Sequence, residues 1–252
     1  MTRTIGVVSG KGGVGKTTLV SNLTHTLTDL GKSVTAIDTN VTTPHLGIHL
    51  GYHLVPKSLH DYLRGHAKIN EVVYSHPHGF RLVPGSLSVN DMIGVNPDKL
   101  QSLTLNLTGK SDIILLDSAP SLGKEATLSL KLADELILLA NPNLPSVLDV
   151  LKTAKVAEKL DKIILGVVVN RTKKGVGNMS AKEIESVTKY PVIGVIPEDD
   201  NVQKSLAARN AVVEFSPNSP ASIEFKRIAH NLVGKKFNYS TNFWTKFLEW
   251  LK

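Results

Sequence analysis

The sequence predicts an α/β fold: a doubly wound, mostly parallel sheet with helices on both faces, followed by a C-terminal amphipathic helix. Two patterns carry this prediction. Apolar, β-branched runs of strand length alternate with helical stretches along most of the 252 residues, as repeated βα units require. A glycine-rich turn joins the first run to the first helix, the connection such sheets place at their ligand-binding edge. Composition permits the fold, because 41% hydrophobic residues are enough to bury a core in a chain of this length.

Taken in order, residues 4–9 (TIGVVS) form a continuous apolar run, which suits a strand buried on both faces. A helix is predicted at 16–30, then strands at 33–37 (SVTAI), 80–83 and 112–116 (DIILL). A helix at 124–132 leads into a strand at 135–140 (ELILLA), and a long helix at 146–160 into a strand at 163–169 (IILGVVV). The helix at 181–188, the strand at 192–196 and helices at 202–208 and 220–233 complete the domain. There is no internal repeat and no low-complexity tract. The domain is expected to span residues 1–233, with a short polar linker at 234–241 and a separate helix at 242–252.

Between the first strand and the first helix stand Gly10, Lys11, Gly12, Gly13, Val14, Gly15, Lys16, Thr17 and Thr18. They satisfy the G-x-x-x-x-G-K-[ST] pattern in the strand–loop–helix setting that gives it meaning. Glycines let successive backbone N–H groups curl around phosphate oxygens, and the helix N-terminus adds its positive dipole end. Lys16 is suited to neutralise β and γ phosphates and the Thr17 hydroxyl to ligate Mg²⁺. The expected ligand is a nucleoside triphosphate with Mg²⁺. Two later strands each deliver a carboxylate to their C-terminal ends, Asp38 and Asp117, where ligands sit in an open α/β sheet.

Lys11 is unusual inside such a loop, and with it the form K-G-G-V-G-K-T-T resembles the deviant Walker A motif of the MinD/ParA family of P-loop ATPases. The stretches DSAPSLGKEATLSLKLADELILLANPNLPSVLDVLKTAKVAEKL, ILGVVVNR and VIGVIPEDDNVQKSLAARNAVVEF are similar to archaeal-type MinD proteins, so the resemblance covers nearly the whole chain. It implies an ATPase that dimerises on ATP, with Lys11 reaching the partner's phosphates and Asp149 at the interface beside the incoming lysine. It further implies Mg²⁺ held by Thr17 and, through switch I and Walker B, by Asp38 and Asp117. Asn170, with Arg171 beside it, would meet the adenine base, and the loop at Pro197 and Glu198 its other edge.

The chain departs from the family pattern in two places. Switch I of MinD-like proteins reads D-x-D, whereas here it is Asp38-Thr39-Asn40. An amide can orient water but cannot take its proton, so hydrolysis is expected to be slow. Switch II has Ala119-Pro120-Ser121 in place of the more usual P-A-G order.

Seven of the nine histidines fall between His45 and His78. His45, His49 and His53 recur every four residues, which on one helix would present a metal face. Gly47 and Gly51 weaken that helix, and exposed histidines of a switch or interface are the favoured reading.

The tail carries most of the charge. From Lys226 to Lys252 there are six basic residues against Glu249, which supplies +5 of the formal +7. On a wheel of about 100° per residue, Phe243, Trp244, Phe247, Leu248, Trp250 and Leu251 occupy an arc of roughly 160°. Thr245, Lys246, Glu249 and Lys252 fill the other side. Aromatics opposite lysines suit a helix lying in a membrane interface, and MinD proteins resemble this in ending with a short membrane-targeting helix. No stretch reaches the ~18 apolar residues of a membrane span.

Zero cysteines exclude a thiolate metal site or an iron–sulfur cluster made by this chain alone. The expectation is a cytoplasmic protein, peripheral on the inner face of the cell membrane. It would form a homodimer with ATP, engage an anionic membrane and a protein partner or activator, and regulate cell division or the placement of other proteins. A ParA-like DNA-partition ATPase is the competing reading, for which the basic charge is suitable but the aromatic tail is not. An ATP-gated membrane scaffold with little hydrolysis is another, favoured by Asn40.

Overall fold

The computed structural model describes residues 1–120, 123–173, 175 and 177–238. The first half contains β1 (Arg3–Val8), α1 (Lys16–Asp29), β2 (Val34–Asp38), α2 (Leu46–His49), α3 (Leu59–Arg64), α4 (Ile69–Val72), β3 (Tyr74–Ser75), β4 (Arg81–Val83), α5 (Lys99–Leu107) and β5 (Ile113–Asp117). The second contains α6 (Lys124–Leu132), β6 (Glu135–Ala140), α7 (Leu144–Lys159), β7 (Ile163–Thr172), α8 (Ala181–Thr188), β8 (Val192–Pro197), α9 (Asp200–Ala207), α10 (Val212–Phe215) and α11 (Pro220–Leu232).

The strands form one sheet in the order β3-β4-β2-β5-β1-β6-β7-β8. Every pairing is parallel except that of the short edge strand β3 with β4. The chain winds outward from β1 in both directions, which makes the carboxyl end of β1 the crevice where such sheets bind ligands. Strand alternation feeds two cores. Ile137 and Leu139 join Leu23 and Phe225 under α1 and α11, while Leu136 and Leu138 join Leu103 and Val150 under α5 and α7. Strands buried on both faces explain why their sequences read as unbroken apolar runs.

Every strand and helix read from the sequence within the domain is present, with ends moved by one or two residues, three at the C-terminal end of β7. The region between β2 and β5 holds more than expected: α2 to α5, β3 and a 3₁₀ turn at Val89–Met92. Four- to six-residue helices are too short to display a period. Leu100, Leu103 and Leu107 do mark the buried stripe of α5, among Ser, Thr and Asn residues that favour turns.

The start of the predicted linker packs against the domain. The Lys235 backbone N–H donates to the His230 carbonyl at 2.9 Å, its Nζ donates to the Leu30 carbonyl at 3.0 Å, and Phe237 lies against the His230 ring. Residues 239–241 and the amphipathic helix expected at 242–252 lie outside the described residues. Among the described residues, no helix is long and apolar enough to cross a membrane.

Candidate functional site

The loop between β1 and α1 begins at Gly10, where an added Cβ would lie 2.3 Å from the Asp149 Cβ and 2.7 Å from its backbone. Only glycine lets α7 approach the loop this closely. Gly13 and Gly15 take φ of +73° and +106°, and a Cβ on Gly15 would meet the Asn170 carboxamide at 2.3 Å. Gly15 caps α1 without a side-chain hydrogen bond, and no acidic residue stands in the first helical turn. The N–H groups and positive dipole end are therefore directed at the pocket with no internal anion to answer them.

Lys16 is buried and its Nζ donates to Ser9 Oγ at 3.0 Å, while Ser9 Oγ donates to the Lys11 carbonyl at 2.7 Å. Burial lowers the Lys16 pKa and the carboxylate of Asp117 opposes that shift. Asp38 and Asp117 are opposite each other in the β2–β5 register, and both are buried. Burial raises both pKa values, and the Asp117 charge raises that of Asp38 further. Asp38 accepts the Leu46 N–H at 2.9 Å and the Asn40 N–H at 3.2 Å. Asp117 takes a hydrogen bond from Thr17, yet among the described residues its buried Oδ1 has no hydrogen-bond partner. Two carboxylates and a hydroxyl, with one orphaned oxygen, fit a hard divalent cation and its waters.

Switch I closes the pocket from the side. Asn40 Nδ2 donates to the Thr43 carbonyl at 2.7 Å and its Oδ1 accepts the Thr43 N–H at 3.2 Å, folding residues 40–43 into a turn. Thr42 hydrogen-bonds Glu125, at the start of α6 beyond the switch II segment. His45 and His49 line the same cavity as Asn40, Thr43 and residues 15–18, with a volume of about 370 Å³, within the ~300–1,000 Å³ typical of ligand sites. A larger hollow beside Thr2, Thr4 and Asp134 lies at the amino-terminal edge of the strands, away from the edge this topology uses.

Next to Gly15 and Thr18 runs a narrow cleft that brings together Asn170, Arg171, Pro197 and Glu198 with Gln203 and Phe225. Asn170 Nδ2 donates to the Val14 carbonyl at 2.7 Å, tying the end of β7 to the loop. Arg171, exposed among the residues that line the cleft, adopts φ of +59°. Asp199 shapes the far wall, accepting the Asn201 N–H at the start of α9 and the Ala221 N–H of α11.

Lys11 is half exposed, and its Nζ stands 3.5 Å from Asp149 Oδ2 of the same chain. The sequence-predicted residues of the loop, both switches and the base side thus surround one crevice. Ser9, Gln203 and Phe225 join them without having been anticipated. Ser9 directly precedes the glycine-rich loop and was legible there; Gln203 and Phe225 arrive by tertiary packing alone. The histidine metal face is not formed. Helix α2 spans only Leu46–His49, Gly51 turns the chain at φ of +77°, and His53 pairs with Arg209 instead. The six apolar residues of the tail and Ser121 lie outside the described residues.

The family model described as the CobQ/CobB/MinD/ParA nucleotide binding domain matches residues 5–212. An uncharacterised ATP-binding protein of Methanocaldococcus jannaschii is 34% identical over 233 residues, covering 92% of this chain and 88% of that protein. The septum site-determining protein MinD of Pyrococcus horikoshii, solved in complex with Mg-ADP, superposes with a TM-score of 0.89 at 32% identity, over 92% of this chain and 96% of that one. A MinC:MinD cell division complex from Aquifex aeolicus contains a chain that matches with a TM-score of 0.83 at 27% identity, over 94% and 98% of the two chains.

Proposed function

The chain belongs to the CobQ/CobB/MinD/ParA nucleotide-binding family, and from that premise we propose that it is an ATP-driven dimer whose nucleotide state controls residence on an anionic membrane. As a MinD/ParA-family ATPase it takes ATP with Mg²⁺ in the crevice between residues 10–18, Asp38, Asp117 and the Asn170 cleft. The observation that carries the reading is the buried Asp38–Asp117 pair beneath an uncapped helix start that bears Lys16.

Bound Mg²⁺ supplies positive charge at the β and γ phosphates. Lys16 neutralises the same oxygens, and the N–H groups of Gly12 to Thr18 cradle them. Thr17, Asp38 and Asp117 would hold the cation. Asn40 orients the attacking water but cannot accept its proton, which keeps turnover slow. Asn170, Arg171, Pro197 and Glu198 hold the base.

Lys11 is the residue that couples two chains. Its pairing with Asp149 is a partly exposed contact of 3.5 Å, of a kind that contributes about 0–1 kcal/mol. A partner's triphosphate, carrying several negative charges, outcompetes one such carboxylate. Asp149 is then left at the interface to receive the other chain's lysine. Two copies of the tail helix at 242–252, brought together by the dimer, bind a membrane far better than one because the second contact is intramolecular. The protein would thereby act on the inner face of the cell membrane, regulating cell division or the placement of a partner protein.

Sedimentation with anionic liposomes, alongside gel shifts with random DNA, tests this in ATP and in ADP. Liposome binding in ATP that is lost in ADP is the expected result. ATP-dependent DNA binding with no liposome binding would favour the partition reading instead.

A further inference from the structure

Away from the nucleotide crevice, nearly two turns beyond Thr18 on α1, stands His25, 1% exposed, with neither ring nitrogen hydrogen-bonded among the described residues. A buried imidazole without a hydrogen bond is costly and leaves room for a ligand. It faces two side chains from distant parts of the sequence. Glu214 of α10 brings Oε2 to 3.3 Å from His25 Nδ1, and the His78 ring, from the turn joining β3 to β4, lies 4.4 Å away between centroids. One donor atom from each of the three lies within 4.8 Å of the other two.

We propose that His25, His78 and Glu214 form a divalent transition-metal site, of the zinc class, that clamps α1 to α10 and to the β3–β4 turn. Donors bound at about 2.0–2.1 Å in a tetrahedron stand about 3.3–3.4 Å apart, so His25 and Glu214 already have the required spacing. Two imidazoles and one carboxylate suit Zn²⁺ rather than Mg²⁺.

The surroundings resemble an outer shell. His78 Nε2 lies 2.8 Å from Asp29 Oδ1, and a carboxylate on one ring nitrogen fixes the tautomer that leaves Nδ1 for a metal. His76 holds the turn by stacking on Phe80 at 4.2 Å and accepting the His78 N–H at 3.1 Å. The Val213 N–H donates to Asn22 Oδ1 at 3.0 Å, which fixes α10 on α1. The side chain of Glu214 is 46% exposed, so an ion has a path in from solvent and a position left for water. The site is independent of the nucleotide reading, since none of its residues belongs to that crevice.

Calorimetric titration of the chelator-treated full chain with Zn²⁺, in excess Mg²⁺ to occupy the carboxylates of the crevice, tests it. Wild type should bind one equivalent and melt at a higher temperature with Zn²⁺ than without. The variants His78→Ala and Glu214→Gln, which spare the buried His25, should each bind at least tenfold more weakly. Asp29→Asn should lose about 10- to 100-fold as an outer-shell change. Co²⁺ should give a tetrahedral visible spectrum in wild type that is absent in His78→Ala. No saturable Zn²⁺ binding by wild type overturns the proposal. So does binding undiminished in both His78→Ala and Glu214→Gln, or binding lost in His49→Ala but kept in His78→Ala, which would move the ion to the nucleotide pocket.

Discussion

Single atoms decide much of the crevice. At Gly10 a methyl group has no room, because α7 crosses the loop with the Asp149 backbone 2.7 Å from where it would sit. Gly10→Ala must push α7 away or bend the loop, an overpacking cost of about 1–3 kcal/mol that urea titration should register together with weakened ATP binding. At switch I the Asn40 amide folds back on Thr43. A carboxylate there still accepts the Thr43 N–H and polarises water better, so Asn40→Asp should hydrolyse ATP faster. Unchanged turnover would mean that residue 40 does not orient the attacking water. Burial, and then His45, lower the His49 pKa to about 4, and a triphosphate in the same cavity raises it again. A group whose pKa rises on binding strengthens binding as pH falls below the bound value, and that gain is lost as pH rises through it. Relative to His49→Gln, wild type should therefore gain up to about 30-fold in ATP affinity between pH 7.5 and pH 5, if the bound value returns to 6.5. Parallel pH profiles for the two proteins refute this.

Elements were legible where their pattern was long enough to express a period. The sheet strands, buried on both faces, announce themselves as unbroken runs, and α6 and α8 have the bounds the sequence suggested. The four-residue helices α2, α4 and α10 are held by tertiary contacts, such as the Asn22 bond to Val213, that no local window contains. The even spacing of His45, His49 and His53 makes no shared face, as Gly47 and Gly51 suggested, whereas His25, His78 and Glu214 converge from three separate elements. The tail helix at 242–252 rests on its sequence pattern, and its proposed role makes a separable prediction. Deleting 242–252 should abolish liposome binding while leaving ATP binding and the melting temperature intact; a lowered melting temperature with lipid binding retained would make it a docked core helix. Buried apolar side chains contribute about 1.5–3 kcal/mol each when fully buried, and lysines near an anionic surface roughly 1 kcal/mol each, screened by salt. Trp244→Glu should consequently impair binding at every ionic strength and Lys246→Ala mainly at low salt.

On the scale of the molecule, the doubly wound sheet brings a loop, two strand-end carboxylates and a base-side cleft to one edge, from residues as far apart as Gly10 and Glu198. The loop and the carboxylates could be read because each sits at the end of an apolar run. The Phe225 wall of the cleft could not, since α11 reaches it only through packing. The one partly exposed cation of this loop, Lys11, pairs with its own Asp149, and the proposed dimer requires it to exchange that partner for the phosphates of a second chain. Multi-angle light scattering on wild type and Lys11→Ala, with Mg-ATP and with Mg-ADP, tests that most directly. The prediction is a wild-type mass that doubles from 27.3 kDa in ATP alone, with Lys11→Ala remaining monomeric while still binding ATP. A wild-type mass indifferent to nucleotide, or a Lys11→Ala protein that dimerises as well as wild type, would contradict it.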